Sequence, residues 1–206
     1  MRIYFDHNAT TPIEPSVAET MSSALISTFG NPSSVHHFGQ QAKKLVDEAR
    51  TAVAELLAAR PSEIVFTSGG TESDNLAIRG VSELSAATNG RCHLITSAIE
   101  HDAVLKTVST LGKRTGWRCT TLPVNNQGLV SPKQLADSID DETSIVSVMH
   151  ANNEIGTIQP IRELTEIAHD RGALFHTDAV QSAGKIPIDV KLLNVDLLSI
   201  SAHKFN

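Results

Sequence analysis

The chain has 206 residues, of which 40% are hydrophobic and 19% are charged, and its formal net charge is −6. This length suffices for one globular domain with a sizeable core, and no apolar run approaches the length of a membrane span. Acidic residues outnumber basic ones by 23 to 17 and no Lys/Arg stripe occurs, so nothing indicates nucleic-acid binding. The two cysteines, Cys92 and Cys119, match no metal or redox spacing, and the N-terminus turns polar too early for a signal peptide, so we expect a cytoplasmic protein.

The first sixty residues predict a polar arm followed by two helices. Residues 1–15 are expected to carry a short apolar strand and then a polar turn with two possible bends, at Pro12 and Pro15. Apolar residues at helical spacing predict helices over 16–28 and 40–59. His36 and His37 lie between these helices, but adjacent histidines do not share a helix face and make a poor metal pair.

From residue 63 onward, strands and helices alternate. The expected strands cover residues 63–67, 92–96, 117–122, 144–149, 173–177 and 196–200. A helix is expected from Glu72 onward, and others over 102–113, 132–139 and 161–171. Repeated strand–helix units predict an α/β fold with a mostly parallel sheet flanked by helices on both faces.

The glycine turn Ser68–Thr71 lies between the first expected strand and the helix that follows it. Glycines let the backbone approach an anion, and the N–H groups at a helix N-terminus together with the helix dipole favour its charge. The turn is neither a Walker A loop nor a dinucleotide fingerprint. Thr71 and Asp74 have the spacing of a capping box. The stretch alone therefore leaves a phosphate site and an ordinary turn equally open.

Polar residues follow five of the expected strands, where ligands bind in parallel sheets. Singly, each has a structural explanation: Asp178 as a helix cap, His101 as a core histidine, Asn152 as a turn residue. A lysine at the end of a buried strand, as at Lys204, must be desolvated, paired or chemically used. Together these residues predict a site for pyridoxal 5′-phosphate, which needs a lysine, an acidic partner for its ring nitrogen and an anion site.

Four motifs carry a resemblance to a known family: Ser68–Asn75, His150–Gly156, His176–Gln181 and Ser201–Phe205. They resemble the motifs of cysteine desulfurases of the nitrogen-fixation and iron–sulfur-cluster type, and residues 6–12 and 30–34 resemble the opening of the same family. The resemblance covers essentially the whole chain. It implies the three-layer large domain of a fold-type-I pyridoxal-phosphate enzyme over residues 16–206. Residues 1–15 would be an arm that contributes to the small domain and the rim of the active site.

The resemblance also implies roles for individual residues. Lys204 would bind the cofactor covalently and move the substrate's α-proton, Asp178 would pair with the ring nitrogen, and His101 would lie on the ring face and assist proton transfer. The remaining contacts implied are Gln181 with the ring's phenolic oxygen, Gly70, Thr71, Ser201 and His203 with the phosphate, Asn152 with cofactor and substrate, and Asn8 and Ala9 with the substrate pocket.

The activity that the resemblance implies is the conversion of L-cysteine to L-alanine, with the sulfur left as a persulfide on the enzyme. A homodimer and a sulfur-accepting scaffold or carrier protein are implied as partners. The family's persulfide cysteine, its carboxylate-binding arginine and its smaller C-terminal domain are expected beyond Asn206, and neither Cys92 nor Cys119 matches that cysteine. We therefore expect the 206 residues to be inactive alone, with the remainder deleted, cleaved off or carried by a companion chain.

Several alternatives remain open from the sequence. A selenocysteine lyase, or a class V aminotransferase or epimerase without the mobile cysteine, would differ after Asn206. A non-catalytic cofactor-binding or scaffold protein is a different class, although a complete set of Lys204, Asp178 and His101 is atypical of a decayed site. A metal-dependent hydrolase would have to use some of the nine histidines, which show no zinc-ligand spacing with a third ligand.

Overall fold

The computed structural model describes residues 2–205, so Met1 and Asn206, the ends of the predicted arm and domain, lie outside the described residues. The helices are α1 Pro15–Ser27, α2 His37–Leu56, α3 Gly70–Asn89, α4 Asp102–Gly112, α5 Pro132–Ser138, α6 Ile161–Asp170 and α7 Val190–Leu193. The strands are β1 His93–Ser97, β2 Arg118–Leu122, β3 Thr143–Ser147, β4 Leu174–Asp178 and β5 Leu197–Ser199. Two 3₁₀ turns occur, at Pro61–Glu63 and Ala202–Lys204.

The five strands form one sheet in the order β2-β1-β3-β4-β5, and every pair is parallel. In register, Ile95 lies between Thr120 and Val146, and Asp178 lies beside Ser199. This confirms the predicted mostly parallel α/β sheet. Because all strands run in one direction, the segments that follow them meet at one edge of the sheet.

Neighbouring residues of each strand supply two separate cores, one on each face of the sheet. Ile95 and Val146 pack on the side of α5 and α6, in a cluster that contains Leu135 and Leu164. Leu94 and Ile145 pack on the opposite side, against residues of α3 and α4 such as Ile78, Val104 and Leu111. Side chains alternate across a strand, so a sheet covered on both faces needs consecutive apolar residues. The three-layer arrangement therefore follows from the apolar runs of β1 and β3.

Two predicted strands are wrong. The one expected at the start of the chain is absent from the described residues 2–6, and the one expected over residues 63–67 is also absent. The chain forms a 3₁₀ turn at Pro61–Glu63, and the residues up to Thr67 belong to no helix or strand. Val65 and Phe66 are 69% and 49% exposed. β-branched and aromatic residues favour a strand only where a neighbouring backbone completes the ladder, and among the described residues no strand pairs with this segment.

Helix α7 was not predicted, because four residues are too few for a helical period. Its N-cap, Asp189, accepts hydrogen bonds from the backbone N–H groups of Lys191 and Leu192. None of the helices within residues 2–205 is both long and apolar enough to cross a membrane.

Candidate active site

A cavity of about 560 Å³ lies at the carboxyl ends of the strands. It gathers residues that follow β1, β3, β4 and β5, together with the N-terminus of α3 and part of the N-terminal segment. Its walls include ten of the predicted site residues: Asn8, Ala9, Gly70, Thr71, His101, Asp178, Gln181, Ser201, His203 and Lys204.

Asp178, the last residue of β4, forms the buried floor of this cavity with 6% of its surface exposed. Its Oδ1 accepts a hydrogen bond of 2.9 Å from the backbone N–H of Val180. Burial raises the pKa of the carboxyl group, while the Val180 N–H and the charges of His101 and Lys204 act in the opposite direction. The residue is therefore a desolvated acid faced by hydrogen-bond donors and a cation.

Gly70 is the first residue of α3, and Gly69 is its N-cap. A methyl group on Gly70 would lie 3.1 Å from Val180 Cγ2 and 3.5 Å from the β-carbon of Ser201. The helix N-terminus is therefore open to the cavity only because residue 70 has no side chain. The predicted capping box of Thr71 and Asp74 is wrong, because the helix begins two residues earlier than predicted, with Gly69 as its N-cap, and Asp74 is buried.

Lys204 is held by the N-terminal segment. Its Nζ donates hydrogen bonds to the carbonyl oxygens of Asn8 and Ala9, the latter at 2.8 Å. The side chain of Gln181 donates to the same Asn8 carbonyl at 3.0 Å. The N–H of Thr11 donates to the His203 carbonyl at 3.0 Å. These bonds attach the residues 8–11 to the turn that carries the lysine.

His101 lies at the N-cap of α4, where its Nδ1 accepts a hydrogen bond of 3.1 Å from the Ala103 N–H. The preceding residue, Glu100, is buried between the ends of β1 and β3. One of its oxygens, Oε1, accepts from the Met149 N–H at 2.8 Å and from the Ser97 hydroxyl. Burial raises the pKa of Glu100 to about 8. This carboxyl group thus joins two strand ends directly beneath His101.

Asn152 is buried beside the main cavity and does not line it. Its amide group donates to the carbonyl of Ile99 at 3.0 Å, and its Oδ1 accepts from the N–H groups of Glu154 and Ile155. It lines a smaller adjacent cavity together with His101. In this geometry Asn152 fixes the loop after β3 against the loop that carries His101.

The cavity also contains residues to which the sequence assigned no individual role in the site. They are Asp6, Asp74, Met149, Asn153, Glu154 and Val180. Asp74 lies on the face of α3 that carries buried Ile78, four residues later, so helical spacing was the available signal for its burial.

The residues present fit pyridoxal phosphate. The cofactor requires an amine, and Lys204 enters the cavity; it requires a buried acid for its ring nitrogen, and Asp178 provides one. An anion requires free N–H groups, and the N-terminus of α3 is kept open by Gly70. The two ends of such a ligand, one basic and one anionic, thus meet groups of the appropriate charge.

Comparison with known proteins agrees with this donor set. Residues 3–206 match the family model described as aminotransferase class V. The chain is 51% identical over 203 residues to the cysteine desulfurase IscS of Dictyoglomus turgidum, covering 98% of this chain and 51% of the relative. A solved structure described as SspA in complex with cysteine is 42% identical, with a TM-score of 0.92, over 98% of this chain and 57% of its own. A NifS-like protein is also 42% identical, with a TM-score of 0.94, over all of this chain and 56% of its own.

The fold and the site define a pyridoxal-phosphate enzyme of the α/β type. The chain belongs to the aminotransferase class V family, and its relatives include cysteine desulfurases of the IscS and NifS type. It spans about half the length of the curated relatives that it matches.

Proposed function

We propose that this chain is the cofactor-binding part of a cysteine desulfurase, which removes sulfur from L-cysteine and leaves L-alanine. The observation that carries the proposal is the meeting of Lys204, Asp178 and Gly70 in one cavity. The SspA relative binds cysteine in its solved structure, which supports a cysteine-sized substrate. When bound, pyridoxal phosphate supplies an electron sink that stabilises negative charge on the substrate's α-carbon.

The roles proposed for the chain's own residues follow from their positions. Lys204 anchors the cofactor and then moves the α-proton, for which its amine must leave the carbonyls of Asn8 and Ala9. Asp178 keeps the ring nitrogen protonated, because a buried carboxylate is stabilised by the proton it faces. Gln181 orients the ring's oxygen, and His101, kept in place by its bond to Ala103, covers the ring face.

The phosphate is proposed to bind the N-terminus of α3, contacted by Gly70, Thr71, Ser201 and His203. Asn8 and Ala9 border the substrate end of the cavity, and Asn152 acts on cofactor and substrate by fixing the loop beside them. Residues 1–15 form the rim and residues 16–206 the cofactor-binding domain. The same proposal includes a homodimeric assembly, a cytoplasmic location, a protein that accepts the sulfur and a companion chain.

The visible absorption of bound cofactor tests the assignment. A covalent bond between Lys204 and pyridoxal phosphate absorbs visible light, so the loaded protein is expected to be yellow and Lys204→Ala colourless. Lys133→Ala is the matched control, because this exposed lysine of α5 does not line the cavity and its loss is expected to leave the colour in place. A protein that remains colourless after incubation with excess cofactor contradicts the proposal.

A further inference from the structure

Asp74 is a second buried acid in the wall of the cavity that contains Asp178. It lies in the second turn of α3, with 1% of its surface exposed, and its side chain faces the sheet. Its neighbour Ser73 donates a hydrogen bond of 2.9 Å to Ser199, which lies beside Asp178 in the register of β4 and β5. Asp74 and Asp178 therefore border the same cavity from a helix and from the adjoining strand.

The two carboxyl groups have unequal surroundings. Asp178 accepts a backbone N–H and faces His101 and Lys204. Asp74 contacts the Ser199 hydroxyl, but its Oδ1 is buried without a hydrogen-bond partner among the described residues. A buried carboxylate oxygen without a donor is costly, whereas a protonated carboxyl group tolerates the same position.

The ring of His176 lies near Asp74 without neutralising it. The distance from His176 Nε2 to Asp74 Oδ1 is 3.6 Å, beyond hydrogen-bond length. The same Nε2 lies 3.0 Å from the Ser199 hydroxyl, and Nδ1 lies 2.8 Å from that of Ser147. Complete burial lowers the pKa of His176 to about 4, so the ring is neutral and offers Asp74 no positive charge.

We propose that Asp74 holds a proton beside Asp178 and is a positioning residue, so that of these two buried acids Asp178 alone carries the negative charge. Two carboxylates that share a dry site cannot both be ionised at low cost, and the proton remains on the one with fewer donors. Burial and the charge of Asp178 raise the pKa of Asp74 to about 7. The charged or titratable groups closest to the pair are His176 on β4, Glu100 and His101 before α4, and Lys204 after β5. The other titratable residues that line the same cavity are Asp6, Glu154 and His203.

The proton has a consequence for the cofactor, and this part rests on the proposed function. Between the titration of Asp178 and that of Asp74, the cofactor's ring nitrogen would meet one negative charge, that of Asp178. At higher pH the ionisation of Asp74 would add a second negative charge to the cavity wall, which would favour the protonated ring nitrogen further. The Asp74→Asn variant lacks this second charge at every pH.

The test is a pH titration of aspartate carboxyl groups by carbon-13 NMR, on the full-length protein without cofactor. Two aspartates are expected to titrate above the ordinary value of about 4. Asp74→Asn is expected to remove the higher midpoint, near 7, and to leave the lower one almost unchanged, because Asp74 is already neutral when Asp178 titrates. The matched control is Asp137→Asn, an exposed aspartate on α5, which keeps both midpoints.

Two outcomes overturn the proposal. If Asp74→Asn removes the lower midpoint and shifts the higher one down, Asp178 holds the proton. If no aspartate of the wild type titrates above the ordinary value of about 4, neither Asp74 nor Asp178 holds a proton at neutral pH. This result is valid even where Asp74→Asn fails to fold. Visible absorption after loading is recorded on the same samples. If both midpoints are present but the loaded protein shows no visible absorption, only the proposed function is contradicted. If the absorption is present but the midpoints are absent, only the role of Asp74 is contradicted.

Discussion

The imidazole of His101 caps helix α4 by accepting a hydrogen bond from the backbone N–H of Ala103 at 3.1 Å. The same ring borders the cavity. Because the capping nitrogen Nδ1 accepts, a neutral ring must carry its proton on Nε2. His101 thus has two roles, as the cap of α4 and as a wall of the cavity, and substitutions can separate them.

We expect His101→Asn to keep the cap and lose the ring, whereas His101→Ala loses both. An asparagine cap is among the best, so His101→Asn is expected to unfold at a urea concentration close to that of the wild type, and His101→Ala to lose about 1 kcal/mol. Both variants are expected to bind the cofactor more weakly. His36→Ala is the control, because His36 caps α2 through the Gly39 N–H outside the cavity. Unimpaired cofactor binding in both His101 variants contradicts the ring's role.

Gly70→Ala is expected to weaken cofactor binding. The added methyl group would lie 3.1 Å from Val180 Cγ2, so the wall must move by a few tenths of an ångström where the phosphate is proposed to bind. A tenfold rise in Kd corresponds to about 1.4 kcal/mol, and a loss of this order is expected by fluorescence titration with pyridoxal phosphate. Gly69→Ala is the matched control, since its methyl group meets no atom within 4 Å. Equal losses in both variants would show that the crowding at residue 70 is irrelevant.

Glu100 predicts a loss of stability at alkaline pH. Its pKa in the folded protein is raised by burial to about 8 from an ordinary value of 4.5, so the folded state binds the proton more tightly than the unfolded state. The resulting stabilisation is complete below the unfolded value and is lost as pH rises through the folded value. Glu100→Gln removes this dependence. Relative to the wild type, it is expected to gain on the order of 2 kcal/mol between about pH 6 and about pH 9.

Urea denaturation at several pH values checks the expectation for Glu100. Glu19→Gln serves as the control, because Glu19 is an exposed glutamate on α1. Parallel stability curves for Glu100→Gln and the wild type would contradict a proton on Glu100.

The two cysteines are expected to take no part in sulfur chemistry. Cys92 precedes β1, whose opposite end borders the cavity, and Cys119 is the second residue of β2, which contributes no residue to the cavity. At 3.3 Å per residue, this places them roughly 10 Å or more from the site. With L-cysteine and cofactor, the 206 residues alone are expected to form no persulfide, and replacing both cysteines with serine is expected to leave cofactor binding unchanged. Mass spectrometry that detects a persulfide on either cysteine contradicts this expectation.

Much of the fold was predictable, because its strands are apolar runs between helices of clear period. The exception is instructive. Residues 64–66 have the composition of a strand, yet the described part of the chain supplies no backbone to pair with them. Composition records a preference for a pleated, half-buried surface, whereas pairing depends on what lies beside the segment. Helix α7 was missed for the opposite reason. Its four residues show no helical period, and its start depends on one capping residue, Asp189.

The candidate site was predictable wherever a polar residue follows a strand, as at Asp178 and Lys204. Asp74 was predicted to form a capping box with Thr71, at the start of a helix that begins at Glu72. The helix begins two residues earlier, at Gly70, so Asp74 lies in its second turn and is buried, which only the folded chain reveals. Asn152 shows the same limit, since its neighbours Ile99 and Glu154 could be known only from the folded chain.

The hydrogen bond between Lys204 and the Ala9 carbonyl joins positions 195 residues apart. A ribosome makes Ala9 long before Lys204, so the nascent chain must keep its N-terminal segment unengaged until the five described strands have emerged. A contact between residues so far apart in the sequence is among the slowest to form, because most of the residues between them must be ordered first. Cofactor capture is therefore a late event in the life of each molecule, and a partly made chain has no site to fill.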